Sequence, residues 1–265
     1  MVRRLALTRP VSSELARAEL THLSREPIDV VRARAQHEAY ERTLVALGCR
    51  LVRLPAMDNR PDAVFVEDTA VVVDELAVLT RPGAASRRSE VASTERALAR
   101  HRPLARIEAP GTLDGGDVLR VGRDLFVGRS SRSDESGREQ LRELLAPHGY
   151  RVTDVDLGDC LHLKTAITRV GERLLLVQPA WVDIRPFAAY ELLEVAPDEP
   201  FAANALWLGD RDVVVPAAFP ATARRLTERG LTVHPVDVSE IAKAEGGVTC
   251  CSILVDWRHA STPAS

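Results

Sequence analysis

The sequence is poor in the features that define several classes of protein. Aromatic residues make up only 4% of its 265 residues, and the net charge is only −3. Because the two signs of charge are interspersed, no surface for nucleic acid or an anionic membrane is indicated. No apolar run approaches the length of a membrane span. These absences favour a soluble protein with a small-molecule or protein partner.

The few cysteines exclude a disulfide-stabilised framework. Cys49, Cys160, Cys250 and Cys251 lack the paired spacing of small secreted domains. The basic N-terminus is followed by an apolar run of three residues, which is too short for a signal-peptide core. We therefore expect a reducing, cytoplasmic setting in which the thiols stay free.

What the sequence does contain is a recurring hairpin pattern. Strand pairs are predicted in the regions 62–80, 117–128, 164–178 and 204–216, and Ser252–Val255 is expected to pair with an N-terminal strand at Arg4–Thr8. The hairpin starts are spaced by about 45 residues, the range in which a fixed period indicates propellers or repeat arrays. The tetrapeptide Leu-Thr-Arg-Pro occurs twice, at Leu7–Pro10 and Leu79–Pro82. Five such units around an axis would bring loop residues from each unit into one central cleft.

Helices are predicted between the strand pairs. One begins after a cap at Asp29 and ends at Gly48, a second covers Arg87–His101, and a third covers Ala221–Gly230. Ser136 and Glu139 have the spacing of a capping box, so we expect a further helix to begin there. The chain is long enough for one large α/β domain, and we assign residues 1–265 to it, with a disordered tail from about residue 258.

Two acidic segments are candidates for binding a cation. In Asp62–Asp68, acids flank an apolar run that we expect to be a strand, and carboxylates at a strand end need a cationic partner, either an arginine of the protein or a ligand. In Gly111–Asp117, Gly115 and Gly116 would let two backbones approach closely beside Asp114. A simple turn is the alternative for this segment, and no phosphate-binding glycine motif is present.

Two further segments carry an imidazole and a thiol. His162 lies between leucines at the start of the strand predicted over Lys164–Arg169, where a hydrogen-bonded core histidine is the alternative. Cys250 and Cys251 follow Gly246 and Gly247, where a loop enters an apolar strand. They are either one exposed nucleophile and its neighbour or two small buried residues. A zinc site of both thiols with His162 is disfavoured, because no ligand pair has helical or knuckle spacing.

Taken together, these segments resemble the dimethylarginine dimethylaminohydrolase family. This family belongs to the guanidino-modifying superfamily that includes arginine deiminase and the amidinotransferases. The resemblance runs in the same order from about Asp29 to Leu254. It is carried by Phe65-Val66-Glu67-Asp68, Thr112-Leu113-Asp114-Gly115-Gly116-Asp117-Val118-Leu119, Leu161-His162-Leu163-Lys164 and Thr249-Cys250-Cys251-Ser252. It implies a five-bladed α/β propeller of ββαβ-type modules with pseudo-fivefold symmetry, called a pentein, and a central active-site cleft.

The resemblance also implies a role for each candidate residue. Cys250 would be the nucleophile, His162 the general acid and base, and Asp114 the acid of the triad, where some relatives have glutamate. The substrate would be held by a further set of residues: Asp68 and Glu67 at the guanidinium, Arg87 and Arg132 at the α-carboxylate, Asp62 near the α-amino group, and the backbone carbonyls of Leu20 and Ala244 at the same group.

The expected reaction is hydrolysis of methylated free arginine to citrulline and an alkylamine through a thiouronium intermediate, with no metal or organic cofactor. Carboxylates suit a planar cation because they form bidentate, charge-assisted hydrogen bonds. A deiminase or amidinotransferase with the same triad is the alternative within the enzymes, and a non-catalytic binder of arginine-like ligands is the alternative outside them. A homodimer is a further expectation, with Trp181 or Trp257 at a hydrophobic edge.

Overall fold

A computed structural model describes residues 3–257, and within them the strands form five sheets of three. The strands are β1 (Arg3–Thr8), β2 (Cys49–Arg53), β3 (Ala70–Val72), β4 (Ala77–Leu79), β5 (Leu104–Arg106), β6 (Val118–Val121), β7 (Asp124–Arg129), β8 (Arg151–Asp156), β9 (Ile167–Arg169), β10 (Leu174–Val177), β11 (Glu191–Glu194), β12 (Leu206–Trp207), β13 (Asp212–Pro216), β14 (Thr232–Val236) and β15 (Ile253–Trp257). The helices are α1 (Val30–Ala46), α2 (Val91–Leu98), α3 (Glu135–Leu145), α4 (Leu163–Ala166), α5 (Pro220–Glu228) and α6 (Ser239–Ala242). The predicted tail from residue 258 lies outside the described residues.

All five sheets have the same plan, so the predicted repeat is confirmed at the level of the module. Each sheet is an antiparallel hairpin whose second strand pairs in parallel with a third: β3-β4-β5, β6-β7-β8, β9-β10-β11, β12-β13-β14 and β15-β1-β2. The last sheet joins both ends of the chain, since Leu5 lies opposite Val255 as predicted. The two Leu-Thr-Arg-Pro copies begin at the ends of β1 and β4, which are equivalent middle strands.

In four of the five modules, the connection between the two parallel strands contains an α-helix. In the module of β9 to β11 the connection instead has two short 3-10 helices, Pro179–Trp181 and Arg185–Phe187. Asp29 caps α1 as predicted, since its side chain accepts from Arg32 N. The predicted capping box of α3 is wrong, because Asp134 is the cap and accepts from Gly137 N at 2.7 Å. The helix predicted over Arg87–His101 begins as a 3-10 helix at Ala85–Glu90 and becomes α2.

The apolar core consists of clusters that join neighbouring modules. Leu5 and Leu7 of β1 pack with Leu79 of β4, and Val71 of β3 packs with Val118 of β6. Further clusters join β7 to β10, β10 to β13, and β13 to β1. The clusters therefore link each module to the next one, and the last module back to the first.

Short helical turns precede the first strands of four sheets, and they position the polar segments. They cover Val66–Thr69 before β3, Gly115–Asp117 before β6, Leu163–Ala166 before β9 and Pro200–Ala203 before β12. A turn over 248–251 takes the same place before β15. The strands predicted at 164–166 and within Asp62–Asp68 are therefore wrong. Among residues 3–257, no helix has both the length and the apolar character of a membrane span.

Candidate active site

Equivalent turns deliver four of the predicted site residues to one place. Asp68, Asp114 and His162 are buried, and Cys250 is half-buried. They come from the approaches to β3, β6, β9 and β15, which lie far apart in the sequence. The repeated fold is thus the reason that distant segments meet.

His162 is surrounded by carboxylates. Its Nε2 lies 3.1 Å from Asp114 Oδ2, and its Nδ1 lies 4.0 Å from Asp68 Oδ1. Burial lowers the pKa of the imidazole, but Asp68 and Asp117 outweigh burial and raise that pKa to about 9. His162 is therefore an imidazolium at neutral pH, which suits it to donate a proton. The alternative of an ordinary core histidine does not account for three acids around one ring.

The two glycines after Asp114 make this packing possible, as the sequence predicts. A Cβ on Gly116 would lie 2.7 Å from His162 Nδ1 and 2.8 Å from Asp68 Oδ1. A Cβ on Gly115 would lie 2.0 Å from the carbonyl oxygen of Glu67. Gly116 N also donates to Asp68 Oδ1 at 2.9 Å. The close approach of backbone to side chains therefore requires glycine here.

Arg87 lies against Asp68 within a buried ion-pair network. Its Nη1 donates to Asp68 Oδ2 at 2.5 Å, and its Nη2 donates to Glu90 Oε2 at 2.9 Å. Nη2 also donates to the carbonyls of Asp62 and Phe65. Burial raises the pKa of Asp68, but His162 and Arg87 outweigh burial and hold it below its usual range. Asp68 is thus ionised and already held by one guanidinium.

Glu67 belongs to a second polar network beneath the site. Its carboxylate accepts from Lys164 Nζ at 2.5 Å and from Thr249 Oγ1 at 2.8 Å. Asn204 ties this network to the module of β12 to β14, because its side chain bonds to Thr249 and to the carbonyl of Lys164. Burial raises the pKa of Glu67 above its ordinary value, although Lys164 opposes the shift.

The two adjacent cysteines occupy different environments. Cys251 is 1% exposed and packs in an apolar cluster, which fits the buried alternative. Cys250 lines a cavity, and its Sγ accepts from Gly247 N at 3.3 Å. Burial, Glu67 and Asp68 together raise the pKa of the Cys250 thiol to about 12. In the free protein Cys250 is therefore a protonated thiol beside a negative site.

The cavity that contains Cys250 also contains His162 and Glu67. It has a volume of about 350 Å³. Its walls beyond these polar groups are largely apolar, and they include Trp181, Phe201, Phe219 and Leu23. Trp181 and Phe201 meet edge to face, with ring centroids 4.8 Å apart.

Three of the residues predicted near the amino-acid end of a substrate lie around one exposed loop. Asp62 accepts from Glu19 N at 3.2 Å, next to half-buried Leu20. Arg132 Nη1 lies 3.3 Å from Glu19 Oε2, and Arg132 Nη2 donates to Thr21 Oγ1. Burial raises the pKa of Asp62 to about 6, although Arg87 opposes the shift. Ala244 instead lies in the apolar core, 3% exposed.

Three of the buried site residues also carry atoms that could bind a metal ion. One group within the described residues has donor atoms that all lie within 4.8 Å, formed by Asp68, Asp114 and His162, and it contains no cysteine. Their mutual pairing and the Asp68–Arg87 ion pair account for this proximity. The expectation that no metal is used stays a prediction.

Sequence reasoning missed Lys164, Thr249, Asn204 and Asp117. Lys164, Thr249 and Asp117 stand inside the motifs that carry the resemblance, but no role was assigned to them. Asn204 follows the short helix before β12, whereas His162 precedes the one before β9, so the repeat of the modules does not point to Asn204.

A thiol, an imidazole and carboxylates gathered by a repeated α/β fold define the class of this protein as an enzyme. No protein-family model matches the chain. It is 37% identical over 227 residues to the N(G),N(G)-dimethylarginine dimethylaminohydrolase of Pseudomonas aeruginosa, covering 85% of this chain and 89% of that protein. It is 39% identical over 249 residues to the enzyme of the same name from Streptomyces coelicolor, covering 94% and 95%. The chain belongs to the dimethylarginine dimethylaminohydrolase family.

A solved structure supports the same assignment. The dimethylarginine dimethylaminohydrolase of Pseudomonas aeruginosa, in a mutant form complexed with citrulline, superposes with a TM-score of 0.90 at 33% identity. The match covers 96% of this chain and all of that one. The resemblance predicted from the four motifs is therefore confirmed.

Proposed function

We propose that this protein hydrolyses N-omega-methylated free arginine, either asymmetric dimethylarginine or monomethylarginine, to L-citrulline and dimethylamine or methylamine. The observation that carries the proposal is the cavity shared by Cys250, His162 and Glu67, in a chain whose relatives bear the name of this activity. A related structure holds citrulline, the expected product.

The guanidinium would be the group that activates Cys250. Glu67 and Asp68 are among the causes of the high pKa of the thiol. A bound cation neutralises their charge, so the pKa of Cys250 falls when substrate is present. The nucleophile is then formed only in the complex, where it has a carbon to attack.

The reaction would proceed in two balanced steps. When substrate is bound, the Cys250 thiol releases its proton to solvent, and the thiolate attacks the guanidinium carbon. His162 then gives its proton to the departing alkylamine as the C–N bond breaks. The neutral imidazole then takes a proton from water, whose oxygen attacks the same carbon. Breaking of the C–S bond releases citrulline and the thiolate. Asp114 orients His162 through the 3.1 Å contact at Nε2.

The amino-acid end would lie towards the loop at residues 19–21. Asp62 and the carbonyl of Leu20 would meet an α-amino group, and Arg132 would meet the α-carboxylate. The contacts of Asp62 and Arg132 with Glu19 of that loop support this assignment. Arg87 would need to share its guanidinium between Asp68 and the substrate, since its two terminal nitrogens already donate. Ala244 would contribute a backbone carbonyl, as the resemblance implies.

Room for alkyl groups separates this function from its nearest alternatives. An arginine deiminase or amidinotransferase acts on another guanidine, and a second carboxylate beside Asp68, such as Glu67, would also suit a deiminase. The apolar walls beyond Cys250 favour N-methyl substituents, because burial of each methyl group is favourable by about 0.8 kcal/mol. A non-catalytic binder would not need a thiol and an imidazole in one cavity.

The five modules would surround a central axis as the blades of a pentein propeller. The cyclic order of the apolar clusters supports this arrangement. A second opening, of about 1300 Å³, is lined by residues of β3, β6, β9, β12 and β15, as an axial channel would be.

We propose a cytoplasmic location because the cysteines are free thiols. The homodimer remains a prediction; Trp181 lines the cavity, and the side chain of Trp257 lies outside the described residues.

Citrulline release from dimethylarginine, monomethylarginine, arginine and agmatine tests the function. We expect dimethylarginine or monomethylarginine to give the largest kcat/KM. Cys250→Ser should lower kcat by roughly 10³-fold or more, because a hydroxyl at neutral pH is a far weaker nucleophile. Cys251→Ser, the matched control one residue away, should keep most of the activity. Equal loss in both variants would contradict the role of Cys250, and a preference for arginine would favour the deiminase.

A further inference from the structure

Asp117 is a buried acid that the proposed reaction does not use. Its side chain is 0% exposed, and within the described residues it forms no ion pair with arginine or lysine. Its Oδ2 accepts from the hydroxyls of Ser130 at 2.5 Å and Ser133 at 2.6 Å, and its Oδ1 accepts from Leu163 N at 3.1 Å. A buried carboxylate that no arginine or lysine neutralises is unfavourable, so its presence needs a reason.

The hydrogen bond from Leu163 N to Asp117 fixes the segment that presents the imidazole of His162. Leu163 is the first residue of α4, and His162 directly precedes it. The backbone at Leu163 is anchored to the carboxylate, so the position of His162 depends on Asp117. Gly128 leaves space for this contact, because a Cβ there would lie 2.9 Å from Asp117 Oδ1.

The other two contacts lead to two different site residues. Ser133 Oγ donates to Asp117 and accepts from Asp114 N at 3.1 Å. Ser130 Oγ donates to Asp117 and accepts from Arg132 N at 3.0 Å. Through these two serines, the carboxylate of Asp117 also restrains the backbones of Asp114 and Arg132.

We propose that Asp117 is the positioning residue of this active site, holding His162, Asp114 and Arg132 in one arrangement through Leu163 N, Ser133 and Ser130. The proposal rests on the function proposed above. A single buried carboxylate thus couples the acid–base residue to the carboxylate-binding arginine. Networks of this kind rigidify a site only when every member is satisfied, as every oxygen of Asp117 is.

The charge of Asp117 acts on the same residue that its geometry positions. The groups that face His162 are Asp68 from the turn before β3, and Asp114 and Asp117 from the turn before β6. Cys250 lines the same cavity. Burial raises the pKa of Asp117 to about 6, so this residue is mostly a carboxylate at neutral pH. Its three donors match that ionised form.

Asp117→Asn tests the proposal because it keeps the size of the side chain but removes the charge and one acceptor. We expect kcat to fall about 10- to 100-fold, because a misplaced acid–base group loses part of the roughly 10²- to 10⁴-fold that positioned proton transfer contributes. The pKa of His162, measured by NMR titration of the imidazole, should fall by about one unit or more as a neighbouring charge is lost. A role in stability alone would not move that titration relative to the other histidines.

The two serines separate the branches of the network. Ser130→Ala should raise KM several-fold with little change in kcat, because it frees the Arg132 segment. Ser133→Ala should lower kcat several-fold with little change in KM, because it frees Asp114. Thr222→Ala is the matched control, since Thr222 is 1% exposed and its hydroxyl accepts from Ala196 N at 2.9 Å outside the site. It should lower the Tm without a split between KM and kcat.

Several results would overturn the proposal. One is an Asp117→Asn protein with unchanged His162 titration and unchanged kcat. Another is a pair of serine variants that match Thr222→Ala in every kinetic constant, which also decides the matter if Asp117→Asn does not fold. A parent protein that hydrolyses no guanidine would refute the proposed function instead. The NMR titration and citrulline binding by calorimetry would still judge the positioning role, because neither requires turnover.

Discussion

The protonation of Cys250 illustrates how neighbouring residues set the chemistry of one atom. Burial is the largest cause of the raised pKa of this half-buried thiol. Glu67 and Asp68 come next, because a thiolate beside them would be a third negative charge. Asp68, one of these two acids, also raises the pKa of His162. On the proposed mechanism, the free site would hold a cation, and Cys250 would become a nucleophile only when one is bound.

This argument predicts slow alkylation of Cys250 in the absence of ligand. With a thiol pKa of about 12, its rate of reaction with iodoacetamide should rise about tenfold per pH unit from pH 7 to 9 without a plateau. Asp68→Asn should accelerate the reaction at each pH by removing a negative charge. Mass spectrometry of the peptide that contains Cys250 gives the rate.

The matched control for that experiment is Asp154→Asn. Asp154 is a carboxylate on β8 that pairs with arginines outside the site. Its replacement should leave the alkylation rate of Cys250 unchanged. A plateau below pH 9 in the parent protein would mean that the thiolate already exists without substrate.

Residue types were predictable from the sequence, but the partners of each residue were not. The four motifs indicated a thiol, an imidazole and acids, and the structure brings these together. Arg87 was predicted to hold the substrate α-carboxylate together with Arg132, and its guanidinium lies against Asp68 and Glu90 in the free protein, pairings that the sequence did not indicate. With 35 lysines and arginines against 38 acids, the sequence offers too many equivalent pairings for charge alone to choose among them. Which of these pairs forms depends on which residues are buried together, and that burial follows from the tertiary fold.

At the scale of elements, the short turns before the first strands were the part that sequence patterns could not resolve. Strand hairpins of alternating or apolar residues were predicted well, including the closure of β15 onto β1. The residues at 163–166 lie in α4 because Asp117 accepts from Leu163 N, a contact between segments 46 residues apart. A turn of four residues has no periodicity to detect, and these turns carry the site.

The loop at residues 19–23, which borders the cavity, depends on another hydrogen-bonded contact between distant segments of the chain. The carboxylate of Glu245 accepts from three successive backbone N–H groups, those of Thr21, His22 and Leu23, at 2.6 to 3.0 Å. Glu245 itself has a φ of 58°, a conformation that is unfavourable for a residue with a Cβ. The loop from Glu19 to Leu23 is largely exposed, so this carboxylate adds to the contacts that Asp62 and Arg132 make with Glu19 and Thr21.

Glu245→Gln should therefore loosen the loop. The amide keeps the size of the side chain but loses the charge and one acceptor, and hydrogen bonds to charged groups contribute about 1.5–3 kcal/mol. We expect KM for dimethylarginine to rise about 3- to 10-fold with a smaller change in kcat, and trypsin to cleave faster after Arg25. Glu228→Gln, on the exposed end of α5, serves as the control. Unchanged KM and unchanged proteolysis would show that other contacts hold the loop.

At the scale of the whole molecule, the modules close a ring of contacts although the chain is linear. Arg3 of β1 lies opposite Trp257 of β15, so the two ends of the described chain are neighbours in one sheet. The turns of the hairpins lie at the far ends of the first strands, away from the approaches that carry the site. The number of modules was predictable from the recurring hairpins, whereas their cyclic order required the packing between them.

A circular permutant tests whether this closed order, rather than the position of the ends, defines the fold. Residues 258–265 and 1–2 would join the present ends, and new ends would be opened between Glu172 and Arg173 in the exposed turn from β9 to β10. We expect cooperative unfolding and a kcat/KM within a few-fold of the parent, because tolerated new termini fall at exposed loop tips. A second permutant opened between Asp159 and Cys160, beside His162 and the cavity, should fold but lose most activity. If both permutants fail to fold, although each joins the present ends beside the β1 and β15 pair, that pair is not the closure that the cyclic packing implies.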